Sequence, residues 1–275
     1  MEDNLMWRLT GFADEAAPEP ADQIALLQRL GLSHVELRSA WFTKVLDLDS
    51  TQLANLQAQF QDGGISLSML GTDLGKIPIQ ADFGPHLDRT KRAMEVADQF
   101  GTDRIRTFSF FLPPGEDPAQ FRHQVLDRLS AMVEIAGDAN KTLMHENEKE
   151  IYGDVPSRVT ELAEALDPRH FELIFDPANY VQCGVSPMDA YPLARTTYIH
   201  IKDARADDHS VVPAGEGDGQ IPQLLEALDR DGYDGFFSIE PHLGDFDAFG
   251  GLCGPELWEK AFRSFVELLG DRPWA

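Results

Sequence analysis

Residues 198–203 read Tyr-Ile-His-Ile-Lys-Asp, and this stretch decides the fold. In a β-strand, successive side chains point to opposite faces of the sheet. Ile199 and Ile201 therefore share one face, which we expect to pack on helices, whereas His200 and Lys202 share the other. Ionisable side chains at the carboxyl end of such a strand are typical of a parallel barrel, whose active groups gather at that end.

Short apolar runs of this kind recur along the chain, and amphipathic stretches separate them. The eight predicted strands are Trp7–Ala13, His34–Arg38, Ile65–Leu70, Arg104–Ser109, Thr142–Asn147, Phe171–Asp176, Thr197–Lys202 and Phe236–Glu240. The predicted helices are Asp22–Leu30, Thr51–Phe60, His86–Phe100, Pro118–Ala136, Pro156–Leu166, Pro187–Ala194, Pro222–Leu228 and Pro255–Leu269. This alternation predicts parallel strands and a single (β/α)₈ TIM barrel that spans residues 1–275 as one domain. A doubly wound open sheet is the alternative, but it seldom has eight such even units.

The composition limits the classes of partner that the protein is expected to bind. Apolar residues make up 43% of the chain, and 47 acidic residues against 23 Lys and Arg give a net charge of −24. Such a surface repels nucleic acid and anionic lipid, and no apolar run reaches the length of a membrane span. The acidic N-terminus and only two cysteines, Cys183 and Cys253, favour a cytoplasmic protein. A homodimer is left open.

Four successive predicted strands each end in a side chain that can bind a metal ion. These side chains are Glu146, Asp176, His200 and Glu240. Three carboxylates crowded at a barrel mouth repel one another, and a divalent cation removes that conflict. The set predicts one site for Mn²⁺ or Mg²⁺, with Co²⁺ or Zn²⁺ as alternatives. Taken singly, each residue has a simpler interpretation, such as a solvated loop acid, a helix cap or a core histidine.

Several stretches resemble one known family. GFADEA, HVELRSAW, RIRTFSFF, LMHENEKEIYGD, FDPANYVQCGV, YIHIKDA, VVPAGEGDGQIP and FFSIEPHL are similar to the xylose-isomerase-like TIM-barrel superfamily, across roughly residues 10 to 243. That sugar phosphate isomerase/epimerase group includes D-tagatose 3-epimerase and the isomerases and dehydratases of the inositol pathway. The resemblance implies that the metal ligands are the four strand-end residues. It leaves the substrate open, because the superfamily uses one site for several reactions.

One departure separates the chain from the DNA-repair branch. Enzymes that resemble endonuclease IV carry a His three residues after the Asp of the sixth strand, and further His ligands for three zinc ions. Asn179 stands at that position here, which argues against a nuclease. We instead expect side chains around the metal to contact the substrate, and the candidates are Glu36, Arg38, Arg106, Asn179, Lys202 and His242. A buried ion pair is the alternative for Glu36, Arg38 and Arg106, and a salt bridge for Lys202.

A glycine-rich loop, Ala214–Gly219, follows the seventh predicted strand. Loops at this place often hold phosphate in barrels. Its two acids, Glu216 and Asp218, argue against an anion. We therefore expect a mobile active-site loop and a neutral sugar or keto-sugar as substrate.

These residues predict a metal-dependent isomerase or epimerase of a small carbohydrate or keto-sugar. A metal that binds adjacent carbonyl and hydroxyl oxygens lowers the pKa of the C–H bond between them. Glu146 and Glu240 are the expected acid–base pair, which moves that proton by way of an enediolate. A lyase or dehydratase of a keto-sugar, keto-inositol or 3-keto-glycoside is the first alternative. A non-catalytic sugar-binding barrel is the second.

Overall fold

Eight parallel strands follow one another along the chain, each separated from the next by helical segments. The computed structural model describes residues 6–191, 196–244 and 251–275. The strands are β1 Arg8–Gly11, β2 His34–Leu37, β3 Ser66–Leu74, β4 Arg104–Thr107, β5 Thr142–Glu146, β6 Phe171–Phe175, β7 Thr196–Ile201 and β8 Phe236–Ile239. All eight predicted strands are present, although several are shorter than the apolar runs that indicated them.

The strands form one parallel sheet that curls into a barrel. Hydrogen-bonded ladders run in the order β1, β8, β7, β6, β5, β4, β3, β2, and β1 also lies against β2. Every strand in this order is parallel to its neighbour. All carboxyl ends therefore lie at one mouth, as in a (β/α)₈ TIM barrel, and the predicted fold is confirmed.

Nine helices surround the barrel in the described residues. They are α1 Pro20–Arg29, α2 Ser50–Asp62, α3 Gly84–Phe100, α4 Arg122–Asp138, α5 Pro156–Ala165, α6 Pro177–Gln182, α7 Pro187–Ala190, α8 Ile221–Arg230 and α9 Pro255–Leu269. Proline stands in the first turn of most of them, where its missing N–H costs nothing. Asp49 caps α2 by accepting hydrogen bonds from the backbone N–H of Thr51 and Gln52.

The connections after three strands, β2, β6 and β7, differ from the prediction. Two short helices, α6 and α7, follow β6 where one was expected, and the predicted end of that helix at Ala194 lies outside the described residues. Short antiparallel ribbons also follow β2 and β7. They pair Ser39–Ala40 with Thr43–Lys44, and Asp203–Ala204 with Val211–Val212. Runs of two residues carry no periodic signal, so the sequence could not indicate them.

The core has two layers, inside and outside the sheet. Ile199 and Ile201 of β7 pack outward among the helices, as their alternation predicts. The inner layer is a separate cluster of Met69, Met144, Ile174, Tyr198 and Phe236. This cluster packs inside the barrel, below the carboxyl ends of the strands. Across the described residues, every helix is too short or too polar to cross a bilayer.

Candidate metal centre and active site

A cavity of about 370 Å³ opens at the carboxyl ends of the strands. Its floor carries Glu146, at the end of β5, and Glu240, directly after β8. Asp176 follows β6, and His200 lies on β7. One ligand atom from each of these four residues lies within 4.8 Å of those of the others, and all four side chains are buried. Neighbouring strands of a barrel thus bring together residues that are almost a hundred positions apart.

The imidazole of His200 is oriented by a carboxylate of β2. Its Nε2 lies 3.2 Å from Glu36 Oε2, whereas its Nδ1 lies 3.2 Å from Glu146 Oε1 and 3.7 Å from Glu240 Oε2. An Nε2–H that faces Glu36 leaves the lone pair of Nδ1 directed at the acidic cluster. This is the arrangement of a metal-ligating histidine, whose other ring nitrogen is held by a carboxylate.

Two buried atoms of the cluster face charged groups of the same cluster. Asp176 Oδ2 lies 2.8 Å from Lys202 Nζ and His200 Nδ1 lies 3.2 Å from Glu146 Oε1, although neither contact has the alignment of a hydrogen bond. The other oxygen of Asp176, Oδ1, accepts the backbone N–H of Asn179 at 2.9 Å and thereby caps α6. Both atoms belong to residues whose ligand atoms converge, so a divalent cation among these residues would take both atoms as ligands. The donor set of three carboxylates and one imidazole fits such an ion.

Two cationic side chains stand among the carboxylates. Lys202 Nζ lies 2.8 Å from both Asp176 Oδ2 and Glu240 Oε2, and an Arg106 guanidinium nitrogen lies 3.0 Å from Glu146 Oε2. Burial would raise the pKa of Glu146, but His200 and Arg106 outweigh it and lower that pKa to about 2. Burial dominates at Asp176, where it raises the pKa to about 7 despite the nearby Lys202.

Glu36 lies below the cavity rather than in its wall. Its Oε2 accepts hydrogen bonds from Ser238 Oγ at 2.7 Å and from Tyr198 Oη at 3.1 Å, besides facing His200. The carboxylate is 1% exposed. The structure therefore places Glu36 behind the four candidate metal ligands, in a buried contact with His200. This position agrees with the alternative of a buried ion pair rather than with a substrate contact.

The other candidate substrate contacts line the cavity. Asn179 donates through Nδ2 to Glu146 Oε1 at 3.2 Å and to the backbone carbonyl of Asn147 at 2.9 Å. Arg38 forms an ion pair with Asp14, with 2.8 Å between Nε and Oδ2. His242 lies in the segment after β8. Arg106 and Lys202 contact the metal cluster as described above.

Glu15 is a residue of this region that the sequence reasoning did not single out. It lies in a short 3₁₀ turn after β1 and is fully buried. Its carboxylate accepts the backbone N–H of His242 at 2.7 Å and lies 3.2 Å from His242 Nε2. The available signal was its place in GFADEA, directly after the first strand.

The glycine-rich loop, which we expected to be a mobile loop of the active site, lies away from the cavity in the structure. The two oxygens of Asp203 accept the backbone N–H groups of Gly215, Gly217 and Gly219 at 2.8 to 3.1 Å, together with that of Ala204. The loop residues are absent from the described lining of the cavity. Their amides are engaged by a carboxylate, so they do not cradle phosphate. The acids of the loop therefore give no information on the charge of the substrate.

Comparisons with known proteins agree with this architecture. A curated 3-dehydroshikimate dehydratase from Bacillus anthracis is 22% identical over 178 residues, which are 61% of this chain and 63% of that protein. The chain thus aligns with less than two thirds of that relative. Among solved structures, the IolI protein with a bound zinc atom matches with a TM-score of 0.78 at 16% identity, over 96% of this chain and 99% of that one. A D-tagatose 3-epimerase-like protein matches with a TM-score of 0.73 at 15% identity, over 95% and 97%.

At these identities the structural matches show the fold alone. The model of one protein family, described as the xylose isomerase-like TIM barrel, matches residues 24–267. That range covers most of the chain and includes all four candidate metal ligands. The chain belongs to the family of xylose isomerase-like TIM barrels.

Proposed function

We propose that the protein binds one divalent metal ion through Glu146, Asp176, His200 and Glu240. The observation that carries this proposal is the convergence of their ligand atoms within 4.8 Å, with His200 Nε2 facing Glu36 so that Nδ1 faces the carboxylates of Glu146 and Glu240. Oxygen-rich ligands with one imidazole suit Mn²⁺ or Mg²⁺, and Co²⁺ or Zn²⁺ fit the same set. The bound zinc of the IolI structure is consistent with a metal in this fold.

The reaction that fits these side chains is proton transfer next to a carbonyl group. When bound, the metal polarises the carbonyl and makes the neighbouring C–H acidic. Glu146 and Glu240 are both ionised at neutral pH, because nearby cations lower the pKa of each carboxyl despite its burial. One of them accepts the proton from the substrate and releases it to solvent, while the other takes up a proton from solvent and delivers it to the substrate. Lys202 keeps its proton, because Asp176 and Glu240 raise its pKa against the effect of burial, and it stabilises negative charge that develops on a substrate oxygen.

The proposed activity is an isomerase or epimerase of a small carbohydrate or keto-sugar. Relatives in the family support an enzyme of this general kind, and the epimerase-like neighbour has the same fold. The small cavity suits a single sugar-sized molecule. The acidic composition supports a cytoplasmic enzyme without a nucleic-acid or membrane partner.

A dehydratase is the second candidate, and one observation favours it. The curated relative that matches the sequence is a 3-dehydroshikimate dehydratase. Elimination starts with the same proton removal next to a carbonyl, so the same residues serve both reactions. The difference lies in the fate of the intermediate, which loses a β-hydroxyl group instead of regaining a proton.

The test is an NMR screen of keto-sugars, polyols and keto acids in D₂O with the Mn²⁺- or Mg²⁺-loaded protein, using Mg²⁺ where spectra are recorded directly. Deuterium that enters a carbon-bound position only with active protein supports proton transfer. Conservation of product mass identifies isomerisation, and loss of water identifies dehydration. A protein that binds sugars and never exchanges a carbon-bound proton would be a binding barrel, which contradicts the proposal.

A further inference from the structure

The mouth of the barrel is divided by charge between its two halves. The four proposed metal ligands come from β5 to β8. The segments of β2 to β4 supply one acid, Asp73, which pairs with Lys44 and Arg89, and five cationic side chains to the cavity: Arg38, Lys44, Lys76, Arg89 and Arg106. In total, seven of the 23 Lys and Arg residues of the chain line this one cavity, together with four acids. The chain as a whole carries about two acids for every cation. Cations are therefore concentrated here against the trend of the molecule.

Three of these cations form a row with two aromatic rings between them. Arg38 and Arg106 each place their guanidinium carbon 4.8 Å from the centre of the Phe12 ring. On its other side, Arg106 lies 5.2 Å from the Phe108 ring, and Lys76 Nζ lies 4.2 Å from the same ring. Aromatic faces attract cations, so the rings hold three like charges along one wall. We call Arg38, Arg106 and Lys76 the cationic row.

Two members of the row are not needed to balance the metal cluster. Arg38 is paired with Asp14 and Glu15, which lie after β1. Lys76 is paired with Glu148 at 3.2 Å, and Glu148 is outside the four proposed ligands. Arg106 is the member that contacts proposed ligands, at 3.0 Å from Glu146 Oε2 and 3.6 Å from Glu240 Oε1. The positive wall is thus a feature of the cavity itself rather than a counterion of the cluster.

From this division of charge we infer that the substrate carries an anionic group, a carboxylate or a phosphate, bound by the cationic row. The carbonyl or hydroxyl oxygens of the same molecule face Glu146, Asp176, His200 and Glu240. This inference rests on the proposed function, because it takes the cavity as the substrate site. It replaces the neutral sugar expected from the acids of the glycine-rich loop, which the structure places away from the cavity.

Lys76 is the member of the row best suited to a substrate anion. It is partly exposed at the mouth, with 32% of its side chain accessible. Its acidic partner among the described residues is Glu148 at 3.2 Å, which is farther than the 2.8 Å contacts of Lys202. An ammonium with three donors binds a further anionic oxygen without giving up that partner.

Matched pairs of ligands that differ in one charge test the inference. The pairs are 3-dehydroshikimate and its methyl ester, D-galacturonate and D-galactose, and D-ribose 5-phosphate and D-ribose. Calorimetry at constant ionic strength, with and without Mn²⁺, gives the affinity of each. We expect at least one anionic member to bind about tenfold or more tightly than its neutral partner. The first two pairs report a carboxylate, and the third reports a phosphate.

Variants assign the preference to the row. Lys76→Met should remove most of the preference for the anion and leave the affinity of the neutral partner unchanged, whereas Lys76→Arg should keep the preference. Lys91→Met is the control, because Lys91 lies on the exposed face of α3 and pairs with Asp88. Lys76→Gln, which also removes the charge but keeps a polar side chain, is the second test should Lys76→Met fold poorly.

The following results overturn the inference. One is that neutral members bind as tightly as anionic ones in every pair, or that no anionic member binds at about 10 mM. Another is an anion preference that Lys76→Met and Lys76→Gln leave intact. Deuterium exchange on neutral sugars alone would overturn this inference and leave the proposed function standing. Anion binding without exchange of any carbon-bound proton would support this inference and contradict the proposed function.

Discussion

His200 Nε2 on β7 lies 3.2 Å from Glu36 Oε2 on β2. The two strands are separated by β1 and β8 in the order of the sheet, so the contact crosses the barrel interior. It directs Nδ1 of His200 toward Glu146 and Glu240. A carboxylate behind a histidine ligand fixes its tautomer and increases its basicity. Glu36 is accordingly a positioning residue for the proposed metal centre.

Glu36→Gln should weaken the binding of Mn²⁺ by about ten- to a hundredfold, because the neutral amide holds the ring of His200 less strongly. Isothermal titration calorimetry measures the change. Ser238→Ala is the matched control, since Ser238 Oγ donates to the same carboxylate oxygen at 2.7 Å but does not touch the cluster. Equal metal affinity in Glu36→Gln and wild type would show that Glu36 does not position the ligand.

Glu146→Gln and Glu240→Gln should each lower kcat by at least about a hundredfold, as the loss of a general acid or base does. His200→Ala should instead act chiefly on metal affinity, because the imidazole has no part in the proposed proton transfer. Glu148→Gln is the control, since Glu148 lines the cavity outside the cluster. Turnover should be measured at saturating metal. Near-normal turnover by either Gln variant with full metal occupancy contradicts the assignment of that carboxylate.

The barrel and its strand-end ligands were predictable because both depend on local patterns. The alternation in 198–203 places Ile199 outward and His200 inward, and the structure shows this orientation. Parallel strands then bring successive strand ends to one mouth. The proximity of Glu146, Asp176, His200 and Glu240 follows from topology without any knowledge of side-chain contacts.

Contacts across the barrel were not predictable in the same way. Glu36 shares a strand face with Arg38 in the sequence pattern, but the register of β2 shifts between Val35 and Glu36. Its carboxylate reaches β7 and β8 below the cavity. The glycines of residues 214–219 suggested a ligand loop, yet their partner is Asp203. Glycines in a sequence indicate that backbone amides can be approached closely, but they do not indicate which acceptor will form hydrogen bonds with those amides.

Metal affinity should fall steeply below neutral pH. Without metal, burial raises the pKa of Asp176 to about 7. Burial lowers the pKa of His200, but Glu146 and Glu36 outweigh it and hold that pKa well above its ordinary value. Both groups must lose protons before they bind a cation, so the apparent affinity should drop by about tenfold or more between pH 7 and pH 6. Titrations in two buffers of different ionisation enthalpy should reveal proton release. An affinity that is constant from pH 6 to pH 8 contradicts this linkage.

His145 should make the fold sensitive to acid. The ring is fully buried, lies 3.0 Å from Ser109 Oγ, and has its pKa lowered by burial to about 4. In the unfolded chain the pKa of this histidine is near 6.5, so the unfolded chain binds a proton before the folded protein does as the pH falls. This stabilisation is therefore present above pH 6.5 and is lost as the pH falls toward 4. The loss between pH 7 and pH 5 is about 2 kcal/mol.

His145→Gln should flatten the pH dependence of the free energy of unfolding by that amount, as measured by urea titration at pH 7 and pH 5. The variant can be less stable than wild type at pH 7 without affecting the comparison, because only the difference between the two pH values counts. His123→Gln, on the exposed surface of α4, should keep the wild-type pH dependence. An unchanged slope in His145→Gln shows that the buried ring does not contribute to acid unfolding.

Asp203→Asn should destabilise the protein by about 3 kcal/mol, because a charged acceptor of four amides is replaced. Oδ1 accepts the N–H groups of Ala204 and Gly219, and Oδ2 accepts those of Gly215 and Gly217. Whichever oxygen becomes the amide nitrogen of Asn, it faces two backbone donors and leaves both without an acceptor. Hydrogen exchange should show faster opening of residues 214–219 in this variant.

The matched control is Asp218→Asn in the same loop. Asp218 Oδ2 accepts one exposed N–H, that of Ala206, at 2.8 Å, and the carbonyl oxygen of Asn can take its place. The free energy of unfolding should therefore change by about 0.5 kcal/mol or less, as for most surface substitutions. Equal losses in the two variants would mean that the loop depends on its negative charge in general. A loss confined to Asp203→Asn assigns the conformation of the loop to the one buried carboxylate.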